Sequence, residues 1–346
     1  MNIGEIARRA GVSRSTVSYA LSGKRPVSEA TRKRIQSVID ELGYRPNASA
    51  RALAEGRTRT IGLVIPPAGS RLTHMQLDFV GSVVDAAAKA DLDVLLSPSG
   101  GDHDRSFERL VSESRVDGVI LMEIRLEDAR VDRLREARMP FVGIGHPADD
   151  PGMFWVDVDY AGLIDHCVRH LADLGHRHIA LLNRSPELVA AGYAPGHRAS
   201  AGFQRAITEL GLQGTELLCG DDARSGQKCI TGLLEDHPEV TALATINEAA
   251  LPGVQRALQE AGLVVPRDFS LTGVVASQWA EDFRPPLTAA DMPSDQLAAR
   301  AMSLLIEIMG NPSTPTQHVL MSPPISLRHS TGAAPAGSPG MTVRQD

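Results

Sequence analysis

The chain has 346 residues, a formal net charge of −7, 22% charged and 4% aromatic residues, and three cysteines. That length is too great for one ordinary core, and the cysteines, Cys167, Cys219 and Cys229, form no Cys-x-x-Cys pair, which argues against both a disulfide framework and a zinc finger. Met1 to Val12 lacks the apolar stretch of a secretory signal and no run approaches ~18 apolar residues, so a soluble cytoplasmic chain without a membrane partner is expected.

Charge is unevenly placed along the chain. Residues 1–59 carry twelve Lys and Arg against five Asp and Glu, net +7, whereas the remainder carries 23 against 37, net −14. An acidic chain as a whole argues against nucleic acid, but a basic head on an acidic body argues for it.

The head opens with apolar residues at 3, 6, 7 and 10, then at 17, 20 and 21, which is helical spacing on both sides of Gly11. Gly11 supplies a positive-φ turn and Ser13 an N-cap, so two short helices meet at a sharp angle. In a helix-turn-helix the second helix enters the major groove, which turns Arg14, Ser15 and Thr16 toward bases and phosphates, with Tyr19 one turn on. A third helix is predicted from the cap Ser28 through Thr31, Ile35, Val38, Ile39 and Leu42 to Gly43. Its Arg32, Lys33 and Arg34 are either contacts to the DNA backbone or a solvated face. Pro46 then starts a segment, Asn47 capping and Ala48 to Ala54 helix-forming, that is too short to be stable alone in water. Gly56 to Thr60 reads as a polar connector.

From Ile61 the pattern changes to short apolar runs separated by amphipathic helices: Ile61–Ile65, Val94–Leu96, Val119–Met122, Phe141–Ile144, Ile179–Leu182, Leu243–Ile246 and Leu271–Val275. Strands alternating with helices predict parallel sheets covered on both faces, and the length predicts two lobes. The end, from Ser330 to Asp346, is rich in Gly, Pro, Ala and Ser, lacks leucine heptads and is expected to be disordered, which favours a homodimer over a tetramer.

Several runs in the head, Ile6-Ala7, Ala10-Gly11-Val12-Ser13, Thr16-Val17-Ser18, Leu42-Gly43-Tyr44-Arg45-Pro46-Asn47 and Ala50-Arg51-Ala52-Leu53, resemble the lactose-repressor/galactose-repressor (LacI/GalR) family of bacterial transcription regulators. The body adds Leu174-Gly175-His176-Arg177-His178-Ile179-Ala180, Asn247, Gly262-Leu263-Val264-Val265-Pro266 and Pro285-Pro286-Leu287-Thr288. The resemblance implies an all-α helix-turn-helix domain (1–45), a hinge helix and linker (46–59) and a periplasmic-binding-protein-like α/β body (60–329). That body has two parallel-sheet, Rossmann-like lobes, the first about 60–160 with 291–321 and the second about 161–290 with 322–329. It also implies a dimeric repressor of metabolic, carbohydrate-related genes on a roughly palindromic operator, with a sugar or related metabolite as effector between the lobes. The DNA-facing set is then Ser13, Arg14, Ser15, Thr16, Ser18 and Tyr19 on the head with Asn47, Ala50 and Leu53 on the hinge. In such relatives a leucine wedges into a minor-groove base step; Leu53 is either that wedge or a linker residue packed on the body.

By the same resemblance His74, Gln76 and Phe79 of the first lobe, and Arg198, Asp222 and Asn247 of the second, are the effector-site candidates. The match departs from the family twice. Arg198 precedes Gly202 by four residues rather than three, and Gly273-Val274-Val275-Ala276 lacks the acidic group that would accept hydroxyl protons. A different effector, or none, follows as an alternative.

No Gly-x-Ser-x-Gly elbow, phosphate loop or His-Glu-x-x-His helix occurs, so no catalytic residue and no cofactor is expected. His166, His170, His176 and His178 could be read as a metal cluster but fit a helix-to-strand stretch better. Asp157 and Asp159, alternating on a strand, read as structural or ligand-contacting. The rival class is a cytoplasmic small-molecule-binding or sugar-modifying protein with an accessory helical domain.

Overall fold

The computed structural model describes residues 3–22, 25–43, 52, 56–65, 72–99, 104–149 and 152–335. The head is three helices, α1 (Ile3–Ala10), α2 (Arg14–Ser22) and α3 (Glu29–Leu42). Helical spacing puts Ile6, Ala7 and Ala10, Val17, and Ile35, Val38 and Ile39 into one small core. Gly11 turns the chain at φ 63°. Ser13 Oγ accepts the Thr16 N–H at 3.0 Å and starts α2; Ser28 Oγ does the same for Thr31 at 3.3 Å in α3. Gly43 closes α3 in the left-handed region at φ 58°. The hinge expectations, with Asn47, Ala50 and Leu53, lie outside the described residues.

The first lobe is built from β1 (Thr60–Ile65), α4 (His74–Lys89), β2 (Asp93–Pro98), α5 (Asp104–Ser112), β3 (Gly118–Leu121), α6 (Ala129–Glu136), β4 (Phe141–Ile144) and β5 (Phe154–Val158). The second runs through α7 (Tyr160–Asp173), β6 (His178–Asn183), α8 (Pro186–Ala190), α9 (Ala194–Leu210), β7 (Gln213–Leu218), α10 (Ala223–Asp236), β8 (Ala242–Thr245), a 3-10 turn (Glu248–Ala250), α11 (Leu251–Glu260), β9 (Ser270–Val275), α12 (Ser277–Asp282) and β10 (Thr288–Asp291). The chain then returns: α13 (Ser294–Gly310) packs on α4, β11 (His318–Met321) adds to the first sheet and β12 (Ile325–Ser326) to the second. The orders are β11-β5-β4-β3-β1-β2 and β12-β10-β9-β8-β6-β7, parallel throughout except for β10 with β12.

The central strands β3 and β9 are buried at every position, as parallel strands covered on both faces must be. The second lobe's helices cross at glycines. A Cβ on Gly202 of α9 would lie 2.0 Å from the Ala161 carbonyl oxygen, and one on Gly253 of α11 would lie 1.7 Å from that of Ala223. Among the described residues no helix is long and apolar enough to cross a membrane.

Two expectations are corrected. Asp159 is not a strand residue beside Asp157; its carboxylate accepts the Gly162 N–H at 2.8 Å and caps α7. Disorder does not begin at Ser330, because residues 330–335 are built into the second lobe. Ser330 is buried, its carbonyl accepts the Leu271 N–H at 2.8 Å, and the Ala334 N–H donates to Leu174 at 2.9 Å. Gly, Ala and Pro, which suggested disorder by composition, here let a backbone lie flat against the lobe and bond to it.

Candidate functional site: nucleic-acid interface and interlobe cleft

On the head, Ser13, Arg14 and Ser15 are exposed at the start of α2, and Thr16, Ser18 and Tyr19 are half-buried behind them. Arg14 leans along α1, where a Cβ on Gly4 would sit 2.8 Å from its Nη2. The Tyr19 ring carries the Arg25 guanidinium 5.2 Å from its centroid. Arg32, Lys33 and Arg34 are all exposed on α3, and Lys33 pairs with Glu29 at 3.2 Å, a surface contact of little energetic weight. Hydroxyls and an arginine at the start of an exposed helix are the chemistry that reads base edges and phosphates.

In the body the two lobes are held together by bonds from the loops that leave their strands. The Leu126 N–H donates to Gly192 at 2.7 Å and the Ala194 N–H to Ile124 at 3.2 Å, a short backbone zipper across the gap. Glu248 of the second lobe, 4% exposed, accepts the Met75 N–H of the first at 2.8 Å and the Ala276 N–H of its own lobe at 3.1 Å. Arg198 of α9 donates to Asp157 of β5 at 3.2 Å and to the His146 carbonyl at 2.7 Å. Asp157 also bonds the His146 Nδ1 at 2.8 Å, and the His146 ring stacks on Trp155 with centroids 4.1 Å apart.

The cleft floor holds a buried cation. Arg184, just past β6, donates to Asp221 at 2.7 Å and to the Tyr193 hydroxyl at 3.3 Å. Burial works against its charge, but the Glu123 and Asp221 carboxylates and the hydrogen bond to Asp221 outweigh that and hold its pKa above the usual arginine value. Glu123, at φ 56°, accepts from Gln76 Nε2 at 2.9 Å and from the Tyr193 hydroxyl at 3.5 Å. Burial pushes the Tyr160 and Tyr193 hydroxyls well above their usual pKa, so both stay neutral. The space left between these groups is about 50 Å³, far below the ~300–1,000 Å³ of a pocket that encloses a small-molecule ligand.

Of the residues expected at this site, Gln76 and Phe79 line the cavity, and Arg198 joins the lobes beside it. His74 is exposed, its ring 6.0 Å from that of Trp279. Asn247 is buried and its amide is consumed within the second lobe, donating to Asn183 at 3.2 Å and Cys219 at 2.9 Å and accepting from Ala250 at 3.3 Å. Asp222 is exposed and caps α10 through Ser225 at 3.0 Å; its neighbour Asp221 is the one that meets Arg184. Glu123, Arg184, Tyr193 and the bridging role of Glu248 were not foreseen. Glu123 and Arg184 each lie within two residues of the C-terminal end of a strand, where ligands gather on parallel sheets, and that rule applied to the strand runs would have found them. Two of the four histidines have structural partners: His176 bonds Thr241 at 2.8 Å and Ser270 at 2.9 Å, and His170 bonds Thr331 at 3.0 Å.

Two family models match parts of the chain. A model described as "Bacterial regulatory proteins, lacI family" matches residues 2–47, and one described as "Periplasmic binding protein-like domain" matches residues 168–331. The HTH-type transcriptional regulator AglR of Rhizobium meliloti (strain 1021) is 32% identical over 98% of this chain and 96% of its own. Catabolite control protein A of Priestia megaterium is 30% identical over 96% and 99%. Among solved structures, the transcriptional regulator CelR in complex with cellobiose superposes with a TM-score of 0.70 at 26% identity, covering 95% of this chain and 99% of that one. The lac repressor dimer bound to operator and the anti-inducer ONPF shares the fold, with a TM-score of 0.83 at 24% identity over 96% and 99%. With a basic helix-turn-helix at one end and a two-lobed body at the other, the chain belongs to the LacI family of bacterial regulatory proteins and is a DNA-binding transcriptional regulator rather than an enzyme.

Proposed function

We propose that this regulator is a dimeric, cytoplasmic repressor of metabolic genes, carbohydrate-related ones first, and that a small molecule entering the cleft between its lobes sets its affinity for a roughly palindromic operator. The observation that carries this reading is the polar clasp. Glu248, Arg198 and Tyr193 of the second lobe close on Met75, Asp157 and Glu123 of the first, so a ligand gains room only by exchanging those bonds for its own. A molecule that does so has different affinities for the open and closed body, which is what shifting an equilibrium requires. Its coupling to DNA is reciprocal.

Glu123, Asp157 and Arg184, with Gln76, Phe79 and Arg198, offer the carboxylates, amide and guanidinium that a hydroxylated ligand needs, despite the missing acid after β9. The cellobiose held by CelR supports a sugar-like effector. Exposed Leu77 and Val84, seven residues apart on one face of α4, support a second copy as partner. Bound duplexes selected from a random pool by the full chain, with a fragment starting at Thr60 as control, test the DNA part. A palindromic motif that needs residues 1–59, and that Leu53→Ala weakens and Arg14→Ala re-specifies, is the expected result; equal enrichment by the fragment would overturn it. Titrating the selected duplex with cellobiose and a panel of related sugars and metabolites tests the effector part.

A further inference from the structure

The linker enters the body at a carboxylate that the site described so far does not use. Asp117 stands one residue before β3, at the end of that strand remote from the cleft. Its carboxylate accepts three bonds from the incoming chain: the Thr58 N–H at 2.7 Å, the Thr58 hydroxyl at 3.0 Å and the Arg59 N–H at 2.8 Å. Its own N–H donates to the Thr60 carbonyl at 2.8 Å. Arg59 is held at φ 54°, a left-handed conformation that a residue with a side chain keeps only when its surroundings over-determine it. Those surroundings are Asp117 on its N–H, Asp93 on its carbonyl at 2.8 Å and Asp91 on its guanidinium at 2.8 Å.

At the other end of the same strand, two residues past Leu121, Glu123 sits in the cleft, also left-handed at φ 56°. Between Asp117 and Glu123 lie the four residues of β3, buried at every position and paired with β1 on one side and β4 on the other, and the buried Met122. A strand so placed moves as a rod of roughly 20 Å from Asp117 to Glu123, at about 3.3 Å per residue. We propose that Asp117 is the positioning residue of the DNA-binding end. It clamps the linker to β3, so that the head is aimed by the same strand whose far end carries a cleft carboxylate. The cleft half of this inference rests on the proposed effector reading; the clamp itself does not.

The test uses the full-length chain and two variants, Asp117→Ala and Asp117→Asn. Asparagine keeps one acceptor oxygen for Thr58 but opposes an NH2 to the Arg59 N–H, and it preserves the packing if alanine does not fold. Two quantities are read in each protein: hydrogen exchange at the Thr58 and Arg59 amides without DNA, and the ratio of affinities for a duplex selected by the wild type and for a scrambled duplex. We expect at least tenfold faster exchange at Arg59 in both variants. We also expect the specific-to-scrambled ratio to fall about tenfold in Asp117→Ala and less in Asp117→Asn, with the affinity for scrambled DNA unchanged because the head itself is intact. Unchanged exchange in both variants would overturn the clamp. Faster exchange with an unchanged affinity ratio would overturn the positioning role and leave Asp117 as a strand end. A wild type that discriminates no duplex would sink the operator reading instead, and the amide readout stands apart from it.

Discussion

Replacing Glu248 by glutamine separates the hydrogen-bonding role of the clasp from its shape. The two side chains are nearly isosteric, but the carboxylate uses both oxygens as acceptors of backbone N–H groups, Met75 across the cleft at 2.8 Å and Ala276 at 3.1 Å. Glutamine has one acceptor oxygen, and its NH2 must face the other donor. Ala276 is buried and its N–H would be cut off from water, whereas the Met75 N–H is part-buried and loses less. A buried N–H left unpaired costs about 1–3 kcal/mol, a factor of roughly 5–150 in an equilibrium constant. If Met75 loses its partner, part of that factor is taken from the closed arrangement of the lobes. Small-angle scattering of the full chain should then show a larger radius of gyration. If Ala276 loses its partner, the deficit falls on the second lobe and lowers its melting temperature.

A third readout is electrostatic. Asp78 is raised above the usual aspartate range by burial first and by the Glu248 charge second, so Glu248→Gln should lower the Asp78 pKa, followed through its carboxyl carbon by NMR. A variant with wild-type scattering, wild-type melting and an unmoved Asp78 would refute the reasoning.

Three further outcomes are expected. Gly202→Ala should destabilise the second lobe by about 1–3 kcal/mol or more in urea unfolding, because its Cβ would meet the Ala161 carbonyl at 2.0 Å and neither partner is a flexible side-chain end; a neutral result would mean that α7 and α9 part easily. Burial lowers the pKa of His176 and of His170. The unfolded chain therefore takes up protons first, and stability present above the ordinary histidine pKa of about 6.5 is lost as pH falls through it. Melting temperature should drop as pH falls below about 6.5 toward the lowered folded-state values, less steeply in His176→Asn, and an identical slope in the variant would count against the assignment. Ser13→Ala removes the acceptor of the Thr16 N–H and should weaken the head by about 1 kcal/mol, seen by circular dichroism as an earlier loss of helix while the body transition stays in place.

How far the sequence determined this molecule follows from the range over which each feature is decided. The head was legible residue by residue because caps, turns and helical spacing are local: Ser13, Ser28, Gly11 and Gly43 act within four residues of themselves. The central strands were legible because burial on both faces leaves an unbroken apolar run, as in Val119, Ile120 and Leu121. The edge strand β7, with Gln213 and Glu216, and the two-residue β12 have one side open or almost no length, and carry no such run. The return of the chain through α13, β11 and β12 came from resemblance, not from pattern.

What only the tertiary structure decided is which polar groups meet. Asp221 rather than Asp222 faces Arg184, Asn247 spends its amide inside one lobe, and Asp117 waits for Thr58 and Arg59 across a separation of 59 and 58 residues. A carboxylate looks the same in a sequence whether it caps a helix, clamps a linker or bridges two lobes. Its role is set by the donors that folding brings within about 3 Å of it, and those come from elements distant in the chain.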